Sequence, residues 1–190
     1  MILGLNGLKG SGKDTVAAYL IKEYGFERRA FADPMKKSMA AFLGVDFHMI
    51  EQWKNDLHIK IVVEDDRNPS KHIAEKNFRT GMQDYAEDGH RGVFGQNFWL
   101  DWTLPKDAFY SGRKIVVTDV RYPNEAMRIH NCDGFVVNIV RPDLTSDDSH
   151  KSEQPLENRE IDFKLVNDET LDVLFLRTEN MLVHLGSLVA

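Results

Sequence analysis

An apolar run, Ile2-Leu3-Gly4-Leu5-Asn6, leads directly into Gly7-Leu8-Lys9-Gly10-Ser11-Gly12-Lys13-Asp14-Thr15. Lys13 to Tyr24 then carries Val16, Ala17, Leu20 and Ile21 at helical spacing, with Gly25 after its end. A buried strand, a glycine-rich bend and a helix in that order leave few folds open. The glycines let the backbone curl so that several N–H groups point at one anion, and the helix start adds partial positive charge. A lysine at the place of Lys13 reaches the β- and γ-phosphates of a bound triphosphate and follows charge as it moves. Gly10, Ser11, Gly12, Lys13, Asp14 and Thr15 are therefore the candidate nucleotide contacts. A dinucleotide-binding turn fits worse, because its third small residue would have to stand where Thr15 stands.

The residue after such a lysine is usually a hydroxyl that binds Mg²⁺; here it is Asp14, with Thr15 next. Asp14 binding the metal directly, through water, or hydrogen-bonding within the loop all agree with the sequence.

Further along, Arg29–Ala32 reads as a short strand. Asp33-Pro34 reads as a cap and first position of a helix running to about Leu43, and Phe47–Lys54 as a short helix. Residues 56–69 carry no clear pattern, and Ser70 is a candidate cap for a helix through Asp84. Asn97–Leu104 reads as helix, Lys114–Val120 as a buried strand, and Asn124–Ile129 as helix. Phe135–Val140 and Ile161–Val166 read as strands, and Glu169–Leu185 as a last helix. The alternation predicts an α/β fold: a P-loop NTPase three-layer sandwich, its parallel five-stranded sheet flanked by helices. We expect one domain over 1–190, with a helical insertion at about 35–110 and a lid loop at about 142–160.

Composition narrows the partners. The 190 residues are 42% hydrophobic and 28% charged, with a net charge of -6, which suits a globular chain and disfavours coating duplex nucleic acid. Cys132 is the single cysteine, so neither an internal disulfide nor a cysteine zinc cluster can form. No apolar run approaches the ~20 residues of a membrane helix, and no basic region precedes the apolar start. A cytoplasmic protein with no membrane partner is expected.

Several side chains suit a second phosphate. Lys36 and Lys37 stand in the first turn of a helix, against its dipole, unless an anion binds there; a solvated basic pair is the alternative. Arg79 and Gln83 lie four apart on one helical face, suited to clamp a phosphate and to hydrogen-bond a base or sugar, or else simply solvated. Arg91 has the same two readings. Phe98, Trp99 and Trp102 fit either a base-stacking platform or a core. Asp119 ends an apolar strand, where ligands of open α/β sheets bind, and suits the water shell of Mg²⁺. Arg121, two residues on, suits the transferring phosphoryl group, unless the two simply pair with each other. The run Asp147-Asp148-Ser149-His150-Lys151-Ser152-Glu153 reads as part of a lid or as a solvated charge run.

Taken together, GLKGSGKDT at 7–15, FADPMK at 31–36, the Arg79/Gln83 helix through Arg91, NFW at 97–99, TDVRYPNEA at 118–126, Arg141-Pro142, HKSE at 150–153 and LVND at 165–168 resemble the bacteriophage-type deoxynucleoside monophosphate kinases. They span nearly the whole chain in order, and the Asp14-Thr15 pair is itself similar to this family. The resemblance implies an adenylate-kinase-like fold, ATP as phosphoryl donor, Mg²⁺, and a deoxynucleoside monophosphate (dNMP) as acceptor, and it makes the helical insertion at about 35–110 the nucleoside-monophosphate-binding part. It implies dNMP contacts at Lys9, Lys36, Arg79 and Arg121, with Glu125 and Trp99 beside them, and a homodimer. Metal would sit near Asp14, Thr15 or Asp119, and Lys13, Asp119 and Arg121 would carry the catalysis.

Two other classes compete. One is a P-loop kinase for another acceptor, such as a modified base in DNA or a coenzyme precursor. The other is a nucleotide-binding protein without catalysis. A GTP-dependent switch is disfavoured, since neither Asn-Lys-x-Asp nor Asp-x-x-Gly occurs in the chain.

Overall fold

The computed structural model describes residues 1–65, 68–106, 110, 112–144 and 156–187, with side chains described except at 63–74 and 187. Residues 145–155, which hold most of the expected lid and its Asp147–Glu153 run, lie outside the described residues. The chain divides into two compact units, Met1–Phe31 with Thr103–Ala190, and Ala32–Trp102.

The first unit is built on β1 (Ile2–Asn6), β2 (Glu27–Arg29), β5 (Ile115–Val117), β6 (Phe135–Val140) and β7 (Phe163–Val166). They form one sheet in the order β2-β5-β1-β6-β7, with every pairing parallel. The helices are α1 (Lys13–Tyr24), α7 (Pro123–His130) and α8 (Leu171–Ser187). Alternate residues of β1 face opposite sides of the sheet. Leu3 and Leu5 pack with Val16, Ala17 and Leu20 of α1 and Leu174, Met181 and Leu185 of α8. Gly4 faces the other layer, where a Cβ would lie 2.8 Å from Val120 Cγ2 and 3.1 Å from Ile129 Cγ1 of α7. The expected P-loop NTPase-like α/β sandwich is therefore present, with helices on both faces.

The second unit contains α2 (Asp33–Leu43), α3 (Phe47–Trp53), a hairpin of β3 (Lys60–Asp65) and β4 (Asn68–Asn77), and α4 (Phe78–Ala86). A π-helical turn at Glu87–Arg91 and the short α5 (Gly92–Phe94) follow, and α6 (Phe98–Thr103) crosses its end. Met35, Met39, Ile50, Phe78, Met82 and Trp99 make its core.

Four expectations are corrected. Ser70 does not cap a helix, because residues 68–77 pair antiparallel with β3. The cap is Asn77, whose side chain accepts the Thr80 N–H at 2.9 Å and starts α4 seven residues later than a Ser70 cap would. β2 ends at Arg29 instead of continuing to Ala32, because the Phe31 N–H turns to the Asp119 side chain and leaves the ladder. The strand expected over Lys114–Val120 keeps its ladder at Ile115–Val117; beyond it the Val120 N–H reaches Leu5 O at 3.1 Å as the chain turns over the sheet edge. Ala32, not Asp33, precedes α2, so Pro34 occupies the second helical position. Among the described residues, no helix is long and apolar enough to cross a membrane.

Candidate active site

In a parallel sheet all strands end at one edge, and the loops leaving that edge converge. Here they carry Gly7–Thr15 after β1, Phe31 after β2, Thr118–Arg121 after β5 and Asn167 after β7.

The glycine positions of the first loop have a steric cause. Gly7, Gly10 and Gly12 take φ of 139, 83 and 107°, where side chains are strained. A Cβ on Gly7 would stand 2.4 Å from Ile139 O. The Lys13 ammonium donates to Gly7 O at 2.6 Å and Leu8 O at 2.7 Å, so this side chain folds back over the loop it follows. Ser11 Oγ is buried and makes no hydrogen bond among the described residues. A buried polar atom without a partner is uncommon, and a phosphate oxygen is a natural one for a hydroxyl. Lys9 is exposed in the same loop. Glycine conformations, ammonium and buried hydroxyl together fit a polyphosphate.

Asp119 is half-buried, and its Oδ1 accepts the Phe31 N–H at 2.7 Å, which fixes the carboxylate at the sheet edge. Asn6, the last residue of β1, donates through Nδ2 to Val120 O at 2.8 Å and ties this turn to the first strand. Asp14 is exposed in the first turn of α1 and Thr15 follows half-buried. Among the described residues no three acidic, histidine or cysteine side chains gather into a metal cage. Hard oxygens in ones and twos suit Mg²⁺, which keeps waters and shares its ligation with substrate phosphates.

Arg121 is exposed, and its placement depends on Glu125. Glu125 is 2% exposed, and its Oε2 accepts the backbone N–H groups of Arg121 at 2.7 Å and Tyr122 at 3.1 Å. This acidic residue thus holds the start of α7 and the arginine before it. Arg128, 3% exposed, donates to Leu104 O at 2.5 Å and anchors the same helix from beneath.

The second unit has its own charged cluster. Lys36 is only 9% exposed, and its ammonium stands 2.6 Å from Glu51 Oε1. Lys54 pairs with the other oxygen of Glu51. Burial works against the ionised form of Glu51, but the hydrogen bonds from Lys36 and Lys54 outweigh it and hold the carboxyl below its ordinary value. Burial, assisted by Lys36, depresses the Lys54 ammonium despite the hydrogen bond to Glu51. Arg79 donates through Nε to Lys54 O at 3.3 Å and through Nη2 to Asn55 Oδ1 at 3.2 Å. Lys36, Lys54 and Arg79 therefore meet around the end of α3. The sequence offers no local signal for Lys54 and Glu51, since their role depends on where α2 puts Lys36. Gln83 lies half-buried one turn after Arg79 on α4.

The remaining expectations separate. Trp99 is 4% exposed inside the core of the second unit, with its Nε1 3.5 Å from Ala86 O, so its burial favours packing over stacking on a ligand. Trp102 is 69% exposed. Arg91 is buried and pairs with Glu87 Oε1 at 2.8 Å within the π-helical turn.

A family model described as deoxynucleotide monophosphate kinase matches residues 72–177. A protein of Acanthamoeba polyphaga mimivirus named for the same family is 31% identical, across 92% of this chain and 92% of the relative. The deoxynucleotide monophosphate kinase of Enterobacteria phage T4 is 24% identical, across 95% of this chain and 98% of its own. With a model matching more than half of its length and a relative of this identity along nearly all of it, the chain belongs to the deoxynucleotide monophosphate kinase family.

Proposed function

We propose that the protein transfers the γ-phosphoryl group of ATP to a deoxynucleoside monophosphate, yielding ADP and a deoxynucleoside diphosphate for DNA-precursor supply. The single observation that carries the donor half is the loop Gly7–Thr15: three glycines at positive φ, the Lys13 ammonium folded over the loop, and a buried Ser11 hydroxyl without a partner among the described residues. Backbone N–H groups of this loop and the start of α1 bind the donor phosphates, and Lys13 exchanges its loop carbonyls for them. Asp14, Thr15 and Asp119 are the residues that would hold Mg²⁺, which supplies neutralisation of phosphate charge when bound.

For the acceptor, Lys36 and Arg79 contact the dNMP phosphate, with Lys9 and Arg121 as further cations and Gln83 toward the base or sugar. Lys36 is supported by its near-complete burial, for an ammonium held out of water implies an anionic partner and Glu51 now fills that place. An acceptor phosphate oxygen forms the new bond to the γ-phosphorus as the bond to the ADP oxygen breaks. That oxygen is already anionic at neutral pH, so no general base is required and these side chains act by positioning and by neutralising charge. Glu125 contributes by holding Arg121. The insertion at about 35–110, in which the β3–β4 hairpin stands among the helices, is the acceptor-binding part and about 142–160 the lid. The resemblance also carries a homodimer working in the cytoplasm, and light scattering of the purified chain tests the dimer.

The test is ADP release from ATP across a panel of acceptors: dGMP, dTMP, dCMP, dAMP, 5-substituted pyrimidine nucleotides, ribonucleotides and coenzyme precursors. Turnover with at least one dNMP, lost in Lys13→Ala with the fold intact, is the expected result. Full activity in Lys13→Ala overturns the mechanism, and turnover confined to a coenzyme precursor overturns the substrate.

A further inference from the structure

Asn167, the first residue after β7, is bound on two sides. Its backbone N–H donates to Val140 O at 2.8 Å, extending the β6–β7 ladder by one step. Its side-chain amide donates from Nδ2 to Ser11 O at 2.9 Å, joining residues 156 apart in sequence. The same amide fills the space beneath Gly12, where a Cβ would lie 2.6 Å from Nδ2.

The turn that carries Asn167 is itself clamped. Arg177, on α8, donates through Nη1 to Val166 O at 2.7 Å and to Asp168 Oδ1 at 2.5 Å. Its Nη2 reaches Glu169 Oε1 at 2.6 Å. One guanidinium thus engages the residue before Asn167 and the two after it.

In a planar trans peptide unit, the carbonyl and the N–H point in opposite directions. Pinning Ser11 O to Asn167 therefore turns the Gly12 N–H away from Asn167. That N–H stands at the N-cap of α1, among the donors a helix leaves without intrahelical partners. Left alone, a Ser11–Gly12 unit flanked by glycine at positive φ has other orientations within reach. We propose that Asn167 is a positioning residue for the phosphate loop, fixing the Ser11–Gly12 peptide so that its N–H faces the donor nucleotide, with Arg177 fixing Asn167 in turn. The inference rests on the reading of Gly7–Thr15 as the donor site and adds to it the residue that sets the loop's conformation.

The experiment is direct binding of Mg·ADP to the whole protein by calorimetry, without acceptor, for wild type, Asn167→Ala and Asn167→Asp, together with the acceptor KM and the thermal midpoint. Loss of one orienting hydrogen bond is expected to weaken ADP about tenfold in Asn167→Ala. The acceptor KM should move by less than about twofold, a split that mere loss of packing would not produce. Asn167→Asp keeps the volume beneath Gly12 but sets a carboxylate oxygen against Ser11 O. It should bind ADP more weakly than Asn167→Ala, and it carries the test if the alanine variant fails to fold. Arg177→Ala should show a smaller loss with the same selectivity. Wild-type affinity for ADP in both Asn167 variants, or an acceptor KM that rises as far as the ADP Kd, overturns the inference alone. A wild type that binds no ADP overturns the reading of the loop and this inference with it.

Discussion

Glu51 holds Lys36 at 2.6 Å with one carboxylate oxygen and Lys54 with the other, so a single acidic side chain gathers two of the second unit's cations. Glu51 titrates lower in the folded chain than in the unfolded one. The stability it contributes is complete above the unfolded carboxyl's range, near 4.5, and is lost as the pH falls through its lower folded value. The wild-type urea midpoint should therefore drop on acidification below about pH 4.5 more steeply than that of Glu51→Gln. Parallel slopes for the two proteins would show that Glu51 adds nothing to acid sensitivity.

Among the described residues Arg79 makes only long bonds, to Lys54 O and Asn55 Oδ1, so its removal should cost the fold little. A charged hydrogen bond to an acceptor phosphate is worth about 1.5–3 kcal/mol. Arg79→Ala should therefore raise the dNMP KM at least about tenfold while the ATP KM stays within about twofold. Steady-state kinetics with each substrate varied in turn makes the comparison, and equal changes in the two constants would remove Arg79 from the acceptor site.

Glu125 accepts two backbone N–H groups from a nearly inaccessible position. Glu125→Ala should lose about 1–3 kcal/mol of stability, since two part-buried donors are left without their charged acceptor. It should also lower kcat, because Arg121 loses its fixed backbone. Glu125→Gln keeps one acceptor oxygen and should fall between. Urea denaturation beside kcat for both variants checks the order, and a fully active Glu125→Ala would separate the cap from catalysis.

Asn77 caps the helix that presents Arg79 and Gln83. Asn77→Ala should cost about 1 kcal/mol, and Asn77→Asp should retain most of it. Because Arg79 lies in the first turn of α4, the alanine variant should also raise the dNMP KM modestly. Chemical denaturation beside the same kinetic assay measures both.

What was legible in the chain followed from how local each signal is. Ile2–Asn6, Lys13–Tyr24 and Phe135–Val140 match the structure residue for residue, because an unbroken apolar run or a helical stripe bounded by glycine or proline carries its own limits. The hairpin at 60–77 was not legible. Its second strand, Asn-Pro-Ser-Lys-His-Ile-Ala-Glu-Lys-Asn, has no clean alternation, and it is a strand because β3 pairs with it. The Ser70 cap failed for the same reason, while Asn77, with Thr80 three residues on, held the local signal that applied. Around the site, the glycine loop and Asp119 announce themselves by pattern. Glu51, Lys54 and Asn167 do not, since each matters through a partner supplied by another element.

The sheet order also fixes when the glycine loop can be framed as the chain is made. β1 lies between β5 and β6, whose residues begin at Ile115 and Phe135, and its own successor β2 pairs with β5 rather than with it. A ribosome must therefore deliver the whole of Ala32–Trp102, a unit with its own core, before the opening strand meets its first neighbour. Nascent chains of this protein carry their most sequence-evident feature unsupported for most of synthesis, and the unit hardest to read from sequence is the first one able to close.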